Sequence, residues 1–121
     1  MITTMETLEF STNWNHKLDC DYFTTIRLEN PKKYFKGHDF KILLHQSGRQ
    51  VVKGVATVVD VRNTFIVSLD DYTCFLDTGY NAQETIKLLK TMYKNKSINW
   101  NNQILSIILL KKQYSQTQSL F

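Results

Sequence analysis

The stretch Tyr22–Leu44, YFTTIRLENPKKYFKGHDFKILL, holds two segments with the alternation of a β-strand on either side of a lysine-rich connection. In YFTTIRL, Thr25 and Arg27 fall on the same face because side chains along a strand alternate with a period of two. Pro31 and Gly37 lie in the connection ENPKKYFKGHD, and both residue types favour turns. The segment DFKILLH then alternates again. The pattern predicts two strands joined by a turn, with a hydroxyl and a guanidinium side by side on the first strand.

The rest of the chain adds two long strand patterns and three helix patterns. VVKGVATVVDV is predicted to form a strand that bends at Gly54, and QILSIILLKK a buried strand near the end of the chain. Cap signals at Asn13, Ser68 and Asn81 predict helices near residues 13–19, 69–76 and 82–94. Strands come first, helices follow and one strand comes last. This order predicts a mainly antiparallel α+β barrel flanked by two or three helices rather than a doubly wound parallel sheet. The predicted core includes Ile26, Phe40, Ile42, Val58, Leu89 and Ile107.

The length and composition predict one globular domain. The chain has 121 residues, of which 42% are hydrophobic and 21% charged, which is ordinary globular usage. We expect a single domain over residues 1–112 and a polar, flexible tail over residues 113–121. The longest apolar run, ILSIILL, is far shorter than the roughly 20 residues of a membrane span. The first residues lack the pattern of a secretory signal, and Cys20 and Cys74 match no metal or redox spacing, so we expect a cytoplasmic protein with free thiols.

The net charge of +4 is unevenly distributed along the sequence. Residues 32–62 and 85–121 are strongly basic, whereas residues 63–84 contain four acidic side chains and no basic one. Such alternation indicates a positive surface beside an acidic patch. A solvated lysine-rich surface without a nucleic-acid partner is the alternative explanation.

A search for catalytic and metal-binding motifs finds few candidates. The chain has no phosphate-binding loop, dinucleotide fingerprint, nucleophile elbow or zinc-protease motif, and no motif implies a cofactor. His16 and Cys20 have the spacing of half a metal site, but no second pair lies nearby in sequence. We therefore predict no metal site.

The order of these elements resembles the ASCH domains of the PUA-like superfamily over about residues 8–112. Those domains are small β-barrels that carry a G-x-K-x-x-x-R or K-T-x-T-x-R signature. Thr25 and Arg27 match the second threonine and the arginine of the signature, and KGHD at residues 36–39 resembles the turn that follows. The resemblance implies a PUA-like, mainly antiparallel β-barrel that binds RNA or a modified nucleoside.

Some members of that family are amidohydrolases that deacetylate acetylated cytidine. In them the signature lysine, the second threonine and a later glutamate carry the chemistry. The resemblance gives Thr25 as the threonine and Asp77 as a shifted acid. Tyr22 stands at the lysine position, so Lys17, upstream of the motif, is the candidate substitute. Whether this chain is an enzyme is therefore an open question at the level of sequence.

The expected binding site combines polar, basic and aromatic side chains. Arg27 offers a bidentate donor for a phosphate or carbonyl edge, and aromatic rings could stack on a base. The predicted ligand-binding residues are Trp14, Tyr22, Thr25, Arg27, Lys32, Lys33, Lys36 and Tyr80. In the alternative, Trp14 belongs to the core and Arg27 forms an ion pair with an acid such as Asp77.

Two other functions compete with nucleoside binding. One is hydrolysis of an amide on a modified pyrimidine by Thr25, Asp77 and Lys17. The other is a protein-interaction module that docks through its acidic segment 70–84. The Asn- and Lys-rich composition indicates an AT-rich bacterial or phage genome, which fits such a module.

Overall fold

The computed structural model describes residues 5–113. These residues form an α+β fold with a five-stranded sheet, two α-helices and two short 3₁₀ helices. The strands are β1 (Thr7–Phe10), β2 (Tyr22–Leu28), β3 (Asp39–Gln46), β4 (Arg49–Phe65) and β5 (Ile104–Lys112). The helices are α1 (Asp71–Thr78) and α2 (Ala82–Met92), and the 3₁₀ helices span Trp14–Asp19 and Ile66–Ser68.

The sheet is mixed and open. Its strand order is β1-β3-β4-β5-β2; β1 runs parallel to β3 and the other three pairings are antiparallel. The predicted α+β class and mainly antiparallel sheet are therefore confirmed. Strands β1 and β2 are the two edges, and the described strands do not close into a barrel through backbone pairing.

Two bulges in β4 bend the sheet. Ile42 pairs with Gly54 and the next residue of β3 pairs with Val52, so Lys53 is an extra residue. Gly54 has a φ of 113°, which a residue without a side chain adopts readily. A second shift leaves Val59 extra opposite β5. Bulges increase the local twist and curvature of a strand. The predicted bend at Gly54 is confirmed.

Two hydrophobic clusters cover opposite faces of the curved sheet. The faces are clear from β5, where Ile108 and Leu110 belong to one cluster and Leu105 to the other. The first cluster contains side chains from all five strands, including Phe40, which is fully buried. The second packs the sheet against α1 and α2. Five of the six predicted core residues are buried, and Ile107 is partly buried against the second cluster.

The predicted helices are present, with two corrections to their caps. Asn13 precedes the 3₁₀ helix Trp14–Asp19, but its side chain makes no cap hydrogen bond and accepts instead from the Leu18 amide. Helix α1 begins after Asp70, whose carboxylate accepts a hydrogen bond from the Thr73 amide at 2.6 Å, so Ser68 is not the cap. An aspartate one residue before the helix leaves its oxygen within reach of the amides of the first turn. Asn81 caps α2 as predicted, accepting from the Glu84 amide.

The described residues cover most of the chain but only the first residue of the predicted tail. No helix within residues 5–113 is long and apolar enough to cross a membrane. Gln113, the first residue of the predicted tail, donates hydrogen bonds to the side chains of Asp39 and Thr57. Residues 114–121 lie outside the described part of the chain.

Candidate functional site

A pocket lies where the two edge strands approach each other. Its cavity volume is about 50 Å³, and it opens to solvent. Its walls come from β1, β2, the 3₁₀ helix Trp14–Asp19 and both α-helices. Five of the sequence-predicted site residues line the pocket: Trp14, Lys17, Thr25, Arg27 and Asp77. The fold thus brings together residues separated by up to 63 positions in the sequence.

A buried ion pair forms one wall of this pocket. The Lys17 amine donates to Asp77 Oδ1 at 2.9 Å, and the two side chains are only 6% and 4% exposed. The Thr24 hydroxyl donates to the same carboxylate oxygen at 2.7 Å. Burial lowers the pKa of Lys17 below its ordinary value, although the Asp77 charge and hydrogen bond act in the opposite direction. The pocket therefore contains an amine that loses its proton more easily than a surface lysine.

Asn15 fixes the relative position of the two partners of the ion pair. Its side-chain amide donates to the carbonyls of Phe75 and Leu76 in the last turn of α1, immediately before Asp77. Asn15 has a φ of 57°, in the left-handed region that asparagine tolerates better than most residues. Gly79, with a φ of 84°, ends α1 beside Asn15. One tight turn of the chain thus both caps α1 and directs Lys17 toward Asp77.

Arg27 spans the gap between the two edge strands. From β2 it donates to the Thr25 hydroxyl at 3.0 Å and to the Glu9 carbonyl of β1 at 2.8 Å. Its guanidinium lies 4.7 Å from the centre of the Phe10 ring, within the range of a cation–π contact. Asp77 instead bonds Lys17 and Thr24. Arg27 is half-buried, so part of its guanidinium remains accessible to a ligand.

Trp14 borders the pocket and contacts a second predicted aromatic residue. It is half-buried, and its ring packs edge-to-face against Tyr80 at a centroid distance of 5.9 Å. Tyr80 is exposed and does not itself line the pocket. Trp14 is therefore a pocket wall with an accessible surface, as an aromatic stacking residue must be.

The remaining predicted binding residues do not line the pocket: Tyr22, Lys32, Lys33 and Lys36. Tyr22 is exposed, and the Lys111 amine lies 5.6 Å from the centre of its ring. Lys33 contacts the ring of Tyr34, and the exposed Lys36 lies 3.8 Å from a carboxylate oxygen of Asp60. Lys32, Lys33 and Lys36 can therefore contact the phosphates of a nucleic acid only outside the pocket.

Sequence reasoning missed three residues that hold the charged groups of the site: Glu9, Phe10 and Thr24. The Glu9 backbone carbonyl and the Phe10 ring hold Arg27, and the Thr24 hydroxyl holds Asp77. Alternation along β2 put Thr24 on the face opposite Thr25. Strand β2 is an edge strand, so one of its sides has no neighbouring strand. Asp77 lies on that side, where it can accept the hydrogen bond from Thr24 and also line the pocket with Thr25. No local sequence signal reports such an approach.

The described residues hold no group of three or more His, Cys, Asp or Glu side chains that could bind a metal ion. Cys20 and His16 do meet, but through a weak contact between the thiol and the His16 carbonyl.

Comparisons of the chain with family models, with curated proteins and with solved structures find no match.

Proposed function

We propose that this chain is an ASCH-like domain of the PUA-like superfamily and that its pocket binds a modified nucleoside, either free or within RNA. The observation that carries the proposal is the pocket between the edge strands, where a buried Lys17–Asp77 pair lies close to Arg27 and Trp14. Ligand pockets are mostly apolar with a few convergent polar groups, and this pocket has that composition. Because its cavity volume is only about 50 Å³, the nucleoside would lie across the open mouth of the pocket rather than inside it.

Each group in the pocket matches a part of a nucleoside. Trp14 offers a ring face for a base, and base–aromatic stacking contributes about 1–3 kcal/mol. Arg27 has donors left after its bonds to Thr25 and Glu9, and these suit a carbonyl or a phosphate oxygen. The Leu88, Leu89 and Met92 side chains supply the apolar wall. The curvature of the open sheet, with Arg27 joining its edges, is compatible with a PUA-like barrel.

Arg27→Ala is expected to weaken binding of a modified nucleoside at least about tenfold while lowering the free energy of unfolding by no more than about 2 kcal/mol. The stability loss is small because Arg27 is half-buried and its bonding partners are a hydroxyl and a carbonyl, so no carboxylate loses its counter-charge. Calorimetric titration and thermal melting measure the two effects. Arg49→Ala, at an exposed arginine of the β3–β4 hairpin, is the matched control. Unchanged binding by Arg27→Ala would contradict the proposed site.

A titration with RNA distinguishes the two forms of the ligand. If the nucleoside is read within RNA, affinity is expected to fall steeply as salt is added, because lysine–phosphate contacts release counterions. A free nucleoside binds with little salt dependence. Absence of binding to RNA, to DNA and to a panel of modified nucleosides would exclude both forms.

Hydrolysis of an amide on an acetylated cytidine-type nucleoside is the second candidate function. The observation that favours it is the contact of Lys17 with Asp77 in the pocket that Thr25 lines. A neutral Lys17 amine would accept the proton of the Thr25 hydroxyl, whose oxygen would attack the acetyl carbonyl. The nucleoside amine would leave with a proton, and water would then cleave the ester to release acetate. Arg27, which donates to Thr25 Oγ1, would stabilise negative charge on that oxygen.

The hydrolytic candidate predicts turnover of acetylated cytidine that rises with pH. Lys17 must be neutral to act as the base, and burial lowers its pKa, so the rate is expected to rise and then level off below pH 10.5. An absorbance assay measures the rate, with Lys17→Met and Thr25→Val expected to remove it. Thr91→Val, at an exposed position of α2, serves as the control. Absence of turnover across the pH range leaves binding without chemistry.

A further inference from the structure

Exposed apolar side chains are concentrated in one short part of the chain. Twelve large hydrophobic residues within the described range are exposed, and five of them fall in residues 65–76: Phe65, Val67, Tyr72, Phe75 and Leu76. Tyr72 and Leu76, which are 77% and 60% exposed, are four residues apart and share one face of α1. Within residues 5–113, nothing covers these two side chains.

That face of α1 forms one wall of a groove. The groove has a cavity volume of about 450 Å³, and its other wall is the helix-bearing face of β4 and β5. Leu109 and Ile107 of β5 provide an apolar floor. Tyr72 and Leu76 of α1 and Asn63 of β4 also line the groove. We call this surface the α1 groove. It is distinct from the candidate pocket, which lies at the free side of β2.

The charge of the α1 groove is negative at the end where α1 begins. Asp60 and Asp70 line it, and Asp71 follows at the start of α1. The hydrogen bond from Thr73 lowers the pKa of Asp70, which keeps it ionised. Among residues 5–113, Arg62 is the one basic residue that lines the groove, and the carboxylate of Asp60 lies 3.6 Å from Arg62 and 3.8 Å from Lys36. An anionic lipid surface or a nucleic acid would meet repulsion here, whereas a cationic segment would be attracted.

Polar groups at the rim fit the backbone of an extended or helical peptide. The hydroxyls of Thr64, Ser68 and Thr73 line the groove beside its apolar floor. An apolar centre with a polar rim is the usual composition of a protein interface.

We propose that the α1 groove docks a segment of another protein that carries apolar side chains flanked by lysine or arginine. The apolar side chains would pack on Tyr72, Leu76 and Leu109, and the basic side chains would face Asp70 and Asp71. This interaction is independent of the function proposed for the pocket.

The test uses two synthetic amphipathic peptides of equal length, one made of leucine and lysine and the other of leucine and glutamate. The full chain is expected to bind the leucine–lysine peptide, with NMR shifts at Tyr72 and Leu76, and not the leucine–glutamate peptide. The double change Tyr72→Ser with Leu76→Ser is expected to weaken binding at least about tenfold. Asp70→Asn with Asp71→Asn is expected to weaken it as well, since asparagine removes charge yet still caps a helix.

Val52→Ser provides the matched control, because Val52 is 58% exposed but lies outside the groove. It is expected to leave binding unchanged. Equal affinity for both peptides, no binding, or equal weakening by Val52→Ser would overturn the proposal. Sedimentation of the chain alone is a further arm of the test. Self-association that Leu76→Ser abolishes would make a second copy the occupant and would also overturn the proposal.

Discussion

Asp77→Ala is expected to lower the free energy of unfolding by about 3–5 kcal/mol. The substitution leaves the Lys17 amine buried without its carboxylate and removes the acceptor of the Thr24 hydroxyl. Removing one partner of a buried pair costs more than the pair contributes, because the remaining charge has lost its water as well as its partner. Denaturant titration of wild type and variant measures the difference directly.

A surface ion pair of the same length is the control for this experiment. Lys53 and Asp19 are 2.8 Å apart, but the Asp19 side chain is about half exposed. Asp19→Ala is therefore expected to cost no more than about 1 kcal/mol. Equal losses for the two variants would mean that water reaches Asp77 in solution and that the pair is not buried.

Replacement of both partners of the buried pair separates stability from function. The double variant Lys17→Met with Asp77→Leu is expected to have a free energy of unfolding equal to that of wild type or up to about 4 kcal/mol larger. Well-packed apolar side chains do not have to lose the hydration of a charge when the protein folds. The same variant is expected to lose nucleoside binding and any hydrolysis, since the pocket no longer contains an amine or a carboxylate. Thermal melting and calorimetric titration give the two results.

An outcome in which the double variant binds the ligand normally would place recognition elsewhere on the protein. A double variant as unstable as Asp77→Ala would instead indicate that the pair contributes to packing in a way that methionine and leucine cannot replace. Each single variant completes the thermodynamic cycle that isolates the coupling between the two side chains.

Local patterns predicted most of the elements but not the shape of the sheet. Alternation in β2 and β3, the glycine of the β4 bulge and the Asn81 cap all act within a few residues, so sequence alone predicts them. The parallel pairing of β1 with β3 joins segments more than thirty residues apart. A strand as short as β1 has too few residues for a clear alternation, and its pairing depends on the packing of Leu8 and Phe10 in the core.

The site was predictable as a set of residue types rather than as a geometry. Thr25 and Arg27 are two residues apart on a strand, and their hydrogen bond follows from that spacing. The Lys17–Asp77 contact crosses sixty residues and depends on a left-handed turn at Asn15 and His16. Both residue types tolerate that conformation, but their presence does not predict it. The identity of Asp77 as the partner of Lys17, and of Glu9 as the partner of Arg27, required the fold.

The cap that Asn15 places on α1 links two parts of the protein that would otherwise open separately. The last turn of the helix cannot unwind without breaking the bonds from Asn15, and that rupture also releases the segment that holds Lys17. The amides of Cys20 and Gly79 donate to backbone carbonyls within these two segments. In deuterated water we therefore expect them to exchange their hydrogens at similar rates, as members of one cooperative unit, despite lying 59 residues apart in the chain.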